Sequence, residues 1–254
     1  LGPRPGRAVG LLWETGIADR LLPEISAMAA VEQTGFHHLD VLQHSLAALD
    51  SVAARPGPHL APALELRLRL GTLFHDAGKP ATAEHDADRI TFLGHPEAGA
   101  AIAAAALRRL RFSNDEVGDV ARLVTMHMRP IQYLSDWTDG AVRRLVRDGG
   151  DLLPALLELA GGDMAASEYP PEDAAEKMGE LRRRVAEAGA EVSHGARSPL
   201  DGNVLMEHYG HRGGPWIATV QHALVEAIVD GALPAQDQDA AWAYLESHPE
   251  LAPG

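Results

Sequence analysis

The 254-residue sequence contains no cysteine. That excludes disulfide bridges, thiolate metal sites and a cysteine nucleophile, and leaves histidine and carboxylate side chains as the strong metal ligands. Aromatic residues are scarce, at 5% of the chain against 46% hydrophobic residues in all. A core must therefore rest on Leu, Ala, Val and Ile, a composition that favours helices over sheets. Basic residues are in the minority too: 22 Lys and Arg face 36 Asp and Glu, a formal charge of −14. Such a body repels phosphate backbones, and no extended basic stripe marks a nucleic-acid surface. A phosphorylated ligand would instead need a local positive site, either a metal or a few placed arginines. No apolar run is long enough to span a bilayer, and Leu1-Gly2-Pro3-Arg4 lacks the apolar core of a signal peptide. The expectation is a cytoplasmic protein with no membrane partner, trimmed of an upstream part because it opens on Leu.

What is present predicts an all-α chain. Residues 7–31 read as short helices broken near Gly16 and closed around Pro23. Residues 39–54 place Val41, Leu42, Leu46 and Leu49 at helical spacing, and Pro56-Gly57-Pro58 ends that helix. Residues 62–77 support two readings. Leu64, Leu66, Leu68 and Leu70 alternate as in a strand, while Ala63, Leu66, Leu70, Leu73 and Ala77 form a helical stripe. Length, strong helix formers and the stop signal Gly78-Lys79-Pro80 favour helix. Residues 81–92 are polar and acidic and read as a loop. Further helices are expected at 96–110, 114–128 (capped by Ser113 or Asn114), 137–148, 151–167, 171–188, 214–230 and 236–247, with a Gly/Ser/Pro linker at 189–202. The domain expectation is a helical lead-in at 1–35, a main domain at 36–188 and a C-terminal helical segment at 189–254 packed on it.

Several patterns are set aside. Gly71 to Gly78-Lys79 has the wrong spacing for a phosphate loop, and Pro80 stands where a magnesium-binding hydroxyl is needed. Asp86-Ala87-Asp88 resembles paired nucleotidyl-transfer carboxylates but lacks a preceding glycine-serine turn, and reads as solvated loop. Neither a His-Glu-x-x-His nor a Gly-x-Ser-x-Gly pattern occurs. Thirteen histidines remain. His44 sits beside an apolar stripe, His75-Asp76 closes a strongly apolar helix, His95 opens a helix after Gly94, and His127 ends another. Asp163 stands in the small, apolar run Gly161-Gly162-Asp163-Met164. Singly, each histidine reads as a hydrogen-bonded core residue. Together with buried carboxylates, which cost several kcal/mol without a partner, they point to a metal. Imidazole and carboxylate suit Zn, Fe, Mn, Ni or Co without choosing among them.

His44…His75-Asp76…Asp163, with His75-Asp76-Ala77-Gly78-Lys79 as a His-Asp-x-Gly-Lys signature, resembles the HD superfamily of metal-dependent phosphohydrolases. The stretches Phe92–Glu97, Arg109–Ser113, Leu123–Pro130 and Pro199–Met206, with Gly213-Gly214-Pro215, resemble the HD region of bacterial CCA-adding tRNA nucleotidyltransferases. The nucleotidyltransferase head and arginine-rich neck of those enzymes have no counterpart in these residues, so CCA addition is not implied. The resemblance implies an HD-domain helical bundle with an additional C-terminal helical segment, and phosphatase, 2′-nucleotidase or 2′,3′-cyclic phosphodiesterase activity.

It further implies one or two divalent transition-metal ions: His44, His75, Asp76 and Asp163 on the first, His95 and His127 on a second, with Asp76 bridging. Met128 stands after His127 where some relatives double the histidine for a third ion. Asp76 and Lys79 are the expected catalytic residues, and Lys79, Arg129 and Arg143 the expected clamps for a small, nucleotide-like phosphorylated substrate. Lys79 also reads as a helix-terminal charge partner, and the arginines as solvated surface residues. Two rival readings remain open: a diiron oxygenase on the same ligand set, and a non-catalytic HD binding module.

Overall fold

The computed structural model describes residues 2–29, 31–32, 39–54, 60–86, 89–193, 198–234 and 236–253. Among these, the chain is a helical bundle with one small hairpin. It divides into two compact units: Leu1–Leu134 with Asp151–Leu181, and Ser135–Gly150 with Arg182–Gly254.

The first unit opens with three short helices, α1 (Pro5–Glu14), α2 (Ala18–Leu21) and α3 (Pro23–Ser26). Gly16 separates the first two with a left-handed φ of 72°, and Pro23 starts the third, where its missing N–H is not needed. Helix α4 (Val41–Ala54) buries Val41, Leu42, Ala48 and Leu49. Helix α5 (Pro62–Phe74) settles the ambiguous leucine run. Leu68 and Leu73 are buried, whereas Leu64, Leu66 and Leu70 are only half-covered. Helix propensity thus prevails over the alternation, but the buried face is not the expected stripe: Leu68 lies off it, and Ala63 at its start is exposed.

Residues 75–78 turn without breaking right-handed geometry, and α6 (Lys79–Thr82) follows with Pro80 in its first turn. The expected loop at 81–92 is in part a two-stranded antiparallel hairpin, β1 (Glu84–Asp86) and β2 (Arg89–Thr91), with His85 opposite Ile90. Its polar first strand hides the pattern, while Ile90 and Thr91 carry the β-branched signal. Ala87 and Asp88 lie outside the described residues, so the Asp86-Ala87-Asp88 reading has no structural counterpart.

Helix α7 (His95–Arg109) packs on α8 (Asn114–Met126). Ser113 caps α8 in a reciprocal box with Glu116: its hydroxyl accepts from Glu116 N–H, and the Glu116 carboxylate accepts from Ser113 N–H at 2.9 Å. A single turn, α9 (Met128–Ile131), follows. After α10 (Asp139–Gly149), which belongs to the second unit, α11 (Leu153–Ala166) returns to the first and lies against α4 and α5. Nearly all of its residues are buried. The core beneath the site joins Ile25, Leu42, Leu73, Phe74, Ala103, Leu107, Val120 and Val124.

Helix α12 (Pro171–Ser193) runs from the first unit into the second, through the start of the stretch read as linker. The second unit then holds α13 (Gly202–Tyr209), α14 (Pro215–Val229) and α15 (Gln238–Ser247), with their own core around Leu200, Leu205, Val220, Leu224 and Leu245. Helix α13 is an addition to the expected set. Asp201 caps it, accepting from the N–H groups of Asn203 and Val204.

Candidate metal centre

Five helices of the first unit and the turns next to them deliver six side chains to one buried place. His44 comes from the second turn of α4, His75 and Asp76 from the turn after α5, His95 from the start of α7, His127 from the end of α8 and Asp163 from the last turns of α11. His44, His75 and His127 are fully buried, and Asp76, His95 and Asp163 nearly so. Two groups of donor atoms form, each within 4.8 Å: His44, His75 and Asp163, and Asp76, His95 and His127.

Asp76 joins them through different oxygens. Its Oδ2 lies 3.3 Å from His75 Nε2 and 3.9 Å from His44 Nε2, whereas its Oδ1 lies 3.5 Å from His95 Nε2 and 3.9 Å from His127 Nε2. Lys79, itself buried, donates from Nζ to Oδ2 at 2.7 Å and sits over the Phe92 ring.

Three of the rings are aimed by the same local device. The Nδ1 of His75, His95 and His127 donates to the carbonyl three residues earlier, on Thr72, Phe92 and Val124, at 2.7–2.8 Å. With the Nδ1 proton committed, the neutral rings of His95 and His127 present Nε2 lone pairs inward, and His75 does so once it gives up its second proton. His95 Nε2 and His127 Nε2 then face one another at 3.3 Å, lone pair to lone pair. His75 Nε2 is buried with no hydrogen-bond partner. Such an arrangement is unfavourable alone and is relieved by a cation that accepts the lone pairs. His44 instead donates from Nε2 to Asp163 Oδ1 at 2.8 Å, a proton that an ion would replace.

The charges agree with this. Burial opposes a charged His75, but the carboxylates of Asp76 and Asp163 outweigh it and raise its pKa to about 9. Burial and the neighbouring His75 charge drive His127 down to about 4. His95 is lowered, chiefly by burial. Asp76 and Asp163 stay ionised despite burial, held well below the usual carboxylate range chiefly by the charge on His75, with help from Lys79 at Asp76 and from the His44 hydrogen bond at Asp163. The donors are nitrogens and oxygens suited to divalent transition ions, so the residues fit the metal centre that their types suggest.

Two glycines set the geometry in different ways. A Cβ at Gly94 would meet nothing within 4 Å; what this glycine supplies is a left-handed φ of 76° just before His95. A close approach occurs at Gly78, where a Cβ would lie 2.1 Å from the His95 carbonyl oxygen and 2.6 Å from Gly99 N. Gly78 thus seats the His75-Asp76 turn directly on the start of α7.

The site opens into a cavity of about 810 Å³ whose lining includes Asp76, Lys79, His95, Arg129 and Asp163. Arg143 belongs to the second unit, where its Nε donates to the Val229 carbonyl at 3.0 Å. The cavity wall also includes Phe92, Leu93, Thr125, Gln132, Ser167 and Tyr169, none of them expected as a site residue from sequence, although Phe92, Leu93 and Thr125 lie in stretches that carry the resemblance. They come from separate segments with no shared spacing. The apolar pair Phe92-Leu93 beside Gly94-His95 was the one local signal.

Fold and site together define a helical HD domain, and residues 37–160 match the family described by that name. Most of the chain aligns with about half the length of several bacterial tRNA nucleotidyltransferases and CCA proteins. It is 33% identical over 240 residues to a CC-adding tRNA nucleotidyltransferase of Thermus thermophilus, covering 94% of this chain and 52% of that protein. It is 34% identical over 259 residues to an A-adding tRNA nucleotidyltransferase of Deinococcus radiodurans, covering 99% and 56%. A multifunctional CCA protein of Halorhodospira halophila is 34% identical over 220 residues, covering 81% and 50%. The chain spans about half the length of these curated relatives.

Proposed function

We propose that the chain is a metal-dependent phosphohydrolase acting on a phosphate mono- or diester of nucleotide or 2′,3′-cyclic nucleotide type. In this reading His44, His75, Asp76 and Asp163 hold one divalent transition ion, and Asp76, His95 and His127 hold a second. The observation that carries it is the division of Asp76, whose two oxygens face two different sets of imidazoles. When bound, such ions lower the pKa of water towards neutrality and offset phosphate charge. The protein's own part is to position and to exclude. Backbone carbonyls fix three imidazole orientations, Lys79 holds the shared carboxylate, and burial keeps bulk water from the donors. Lys79 and Arg129 supply cationic charge at the cavity that a phosphate would enter. Arg143 is not assigned a role, because its guanidinium is engaged by Val229 in the second unit.

The HD match and the nucleotide-handling names of the relatives support a hydrolytic, nucleotide-directed reading. They also support a cytoplasmic location, and among the described residues no helix is long and apolar enough to cross a membrane. The test is phosphate release from nucleoside monophosphates and 2′,3′-cyclic nucleotides with Mn, Co or Ni under anaerobic conditions, alongside metal analysis. Hydrolysis without oxygen is the expected result. Turnover that needs iron and oxygen and releases no phosphate from any ester would replace this reading with the oxygenase one.

A further inference from the structure

The cavity beside the metal donors is lined by two kinds of residue. Asp76, Lys79, His95 and Asp163 are ionisable and belong to the donor cluster or touch it. Ile90, Phe92, Leu93, Met128, Ile131 and Tyr169 give it apolar and aromatic surface, interspersed with polar side chains such as Thr125, Gln132 and Ser167; the apolar residues come from β2 and the segment after it, from α9 and from the segment after α11. Leu93 is 79% exposed, the most exposed large hydrophobic residue described. Phe92 and Tyr169 are only half-covered. A volume of about 810 Å³ is far more than a phosphate needs and falls in the range of sites that enclose a ligand of nucleotide size. An inorganic phosphate, a polyphosphate or a sugar phosphate would leave this apolar wall wet and unused.

We infer that the apolar wall is the seat of a flat, weakly polar group joined to the phosphate, and that Leu93 and Tyr169 determine the preference for a nucleoside phosphate over a sugar phosphate. This rests on the phosphohydrolase reading for the placement of the phosphate beside Asp76. Aromatic and aliphatic surfaces grip a base by its face rather than its edge, so the preference is for a base over none and tolerates exchange of one base for another. Leu93 acts at the rim. Gly94, with its left-handed φ of 76°, turns the chain between Leu93 and the ligand candidate His95, so that an exposed residue and a buried donor stand on either side of one glycine.

The inference is tested by calorimetric titration of the full-length chain in Mn²⁺ with hydrolysis-resistant 5′-phosphonates of adenosine, of uridine and of ribose alone. Both nucleoside analogues are expected to bind at least about tenfold more tightly than the ribose analogue, in line with one stacked base. In Leu93→Ser and in Tyr169→Ser that ratio is expected to fall several-fold. Because Leu93 is exposed, its variant tests the wall without disturbing the core. Equal affinity for nucleoside and ribose analogues, failure of all three to bind, or a ratio untouched by both substitutions would overturn the inference. A parallel phosphate-release assay separates it from the reading beneath it. A nucleoside preference in binding without phosphate release would keep the wall's role and remove the hydrolase; release with equal affinities would do the reverse.

Discussion

His44 and Asp163 are 119 positions apart, yet His44 Nε2 lies 2.8 Å from Asp163 Oδ1 with both residues buried. The contact exists because α4 and α11 pack closely: a Cβ on Gly162 would fall 2.4 Å from Val52 Cγ2, so the position beside Asp163 has room only for glycine. Asp163→Asn keeps the side chain's size and removes its charge. It is expected to cost the chain the ion shared with His44 and His75 and to retain the one at His95 and His127, measured as metal bound per chain. An unchanged metal content would remove Asp163 from the ligand set.

Gly78→Ala should be far more damaging than Gly94→Ala. At Gly78 the added carbon meets the His95 carbonyl, and neither partner is a side chain that can swing away. A loss of about 3 kcal/mol is expected in denaturant unfolding, with displacement of His95 from Asp76. At Gly94 the space is open and only the positive φ is penalised, at about 1 kcal/mol. Equal losses at the two positions would show that the close approach at Gly78 is not what the chain needs there.

Metal binding should release a proton. In the metal-free chain His75 is raised to about 9, so at neutral pH it carries a proton that must leave before Nε2 can bind an ion. His127, lowered to about 4, is already neutral. Metal affinity should therefore rise with pH up to about 9 and level off above it. Titrations in two buffers of different ionisation enthalpy should report close to one proton released per chain from this source. Affinity that falls as pH rises from 7 to 9 would have the wrong sign.

His127→Ala removes one donor from the group at Asp76 and His95 and leaves the other group whole. The variant is expected to keep one ion and to lose turnover by orders of magnitude. A variant with two ions and full activity would leave a single-metal mechanism.

Much of the helical architecture can be read from composition and spacing, because a Leu/Ala core at 3.6-residue intervals has few other solutions. Even the doubtful run at 62–77 yields once propensity is weighed against alternation. The hairpin at 84–91 is hidden because each strand is only three residues long and the first is polar. Helix α13 escapes notice for a related reason: eight residues give little periodicity, and only the Asp201 cap announces it. At the site, residue types suggest which side chains suit an ion. They do not show that Gly78 rather than Gly94 makes the tight contact, since either glycine satisfies the same local pattern. The apolar cavity wall leaves only the pair Phe92-Leu93 as a linear trace, being assembled from segments far apart in the chain.

The central claim is that Asp76 is shared by two ions. Electron paramagnetic resonance of the chain loaded with Mn²⁺ tests it most directly. A bridged pair gives the multiline signature of two coupled ions, and His127→Ala should convert it to the six-line signal of one isolated ion. A wild-type spectrum of a single ion, or of two that do not interact, would contradict the account.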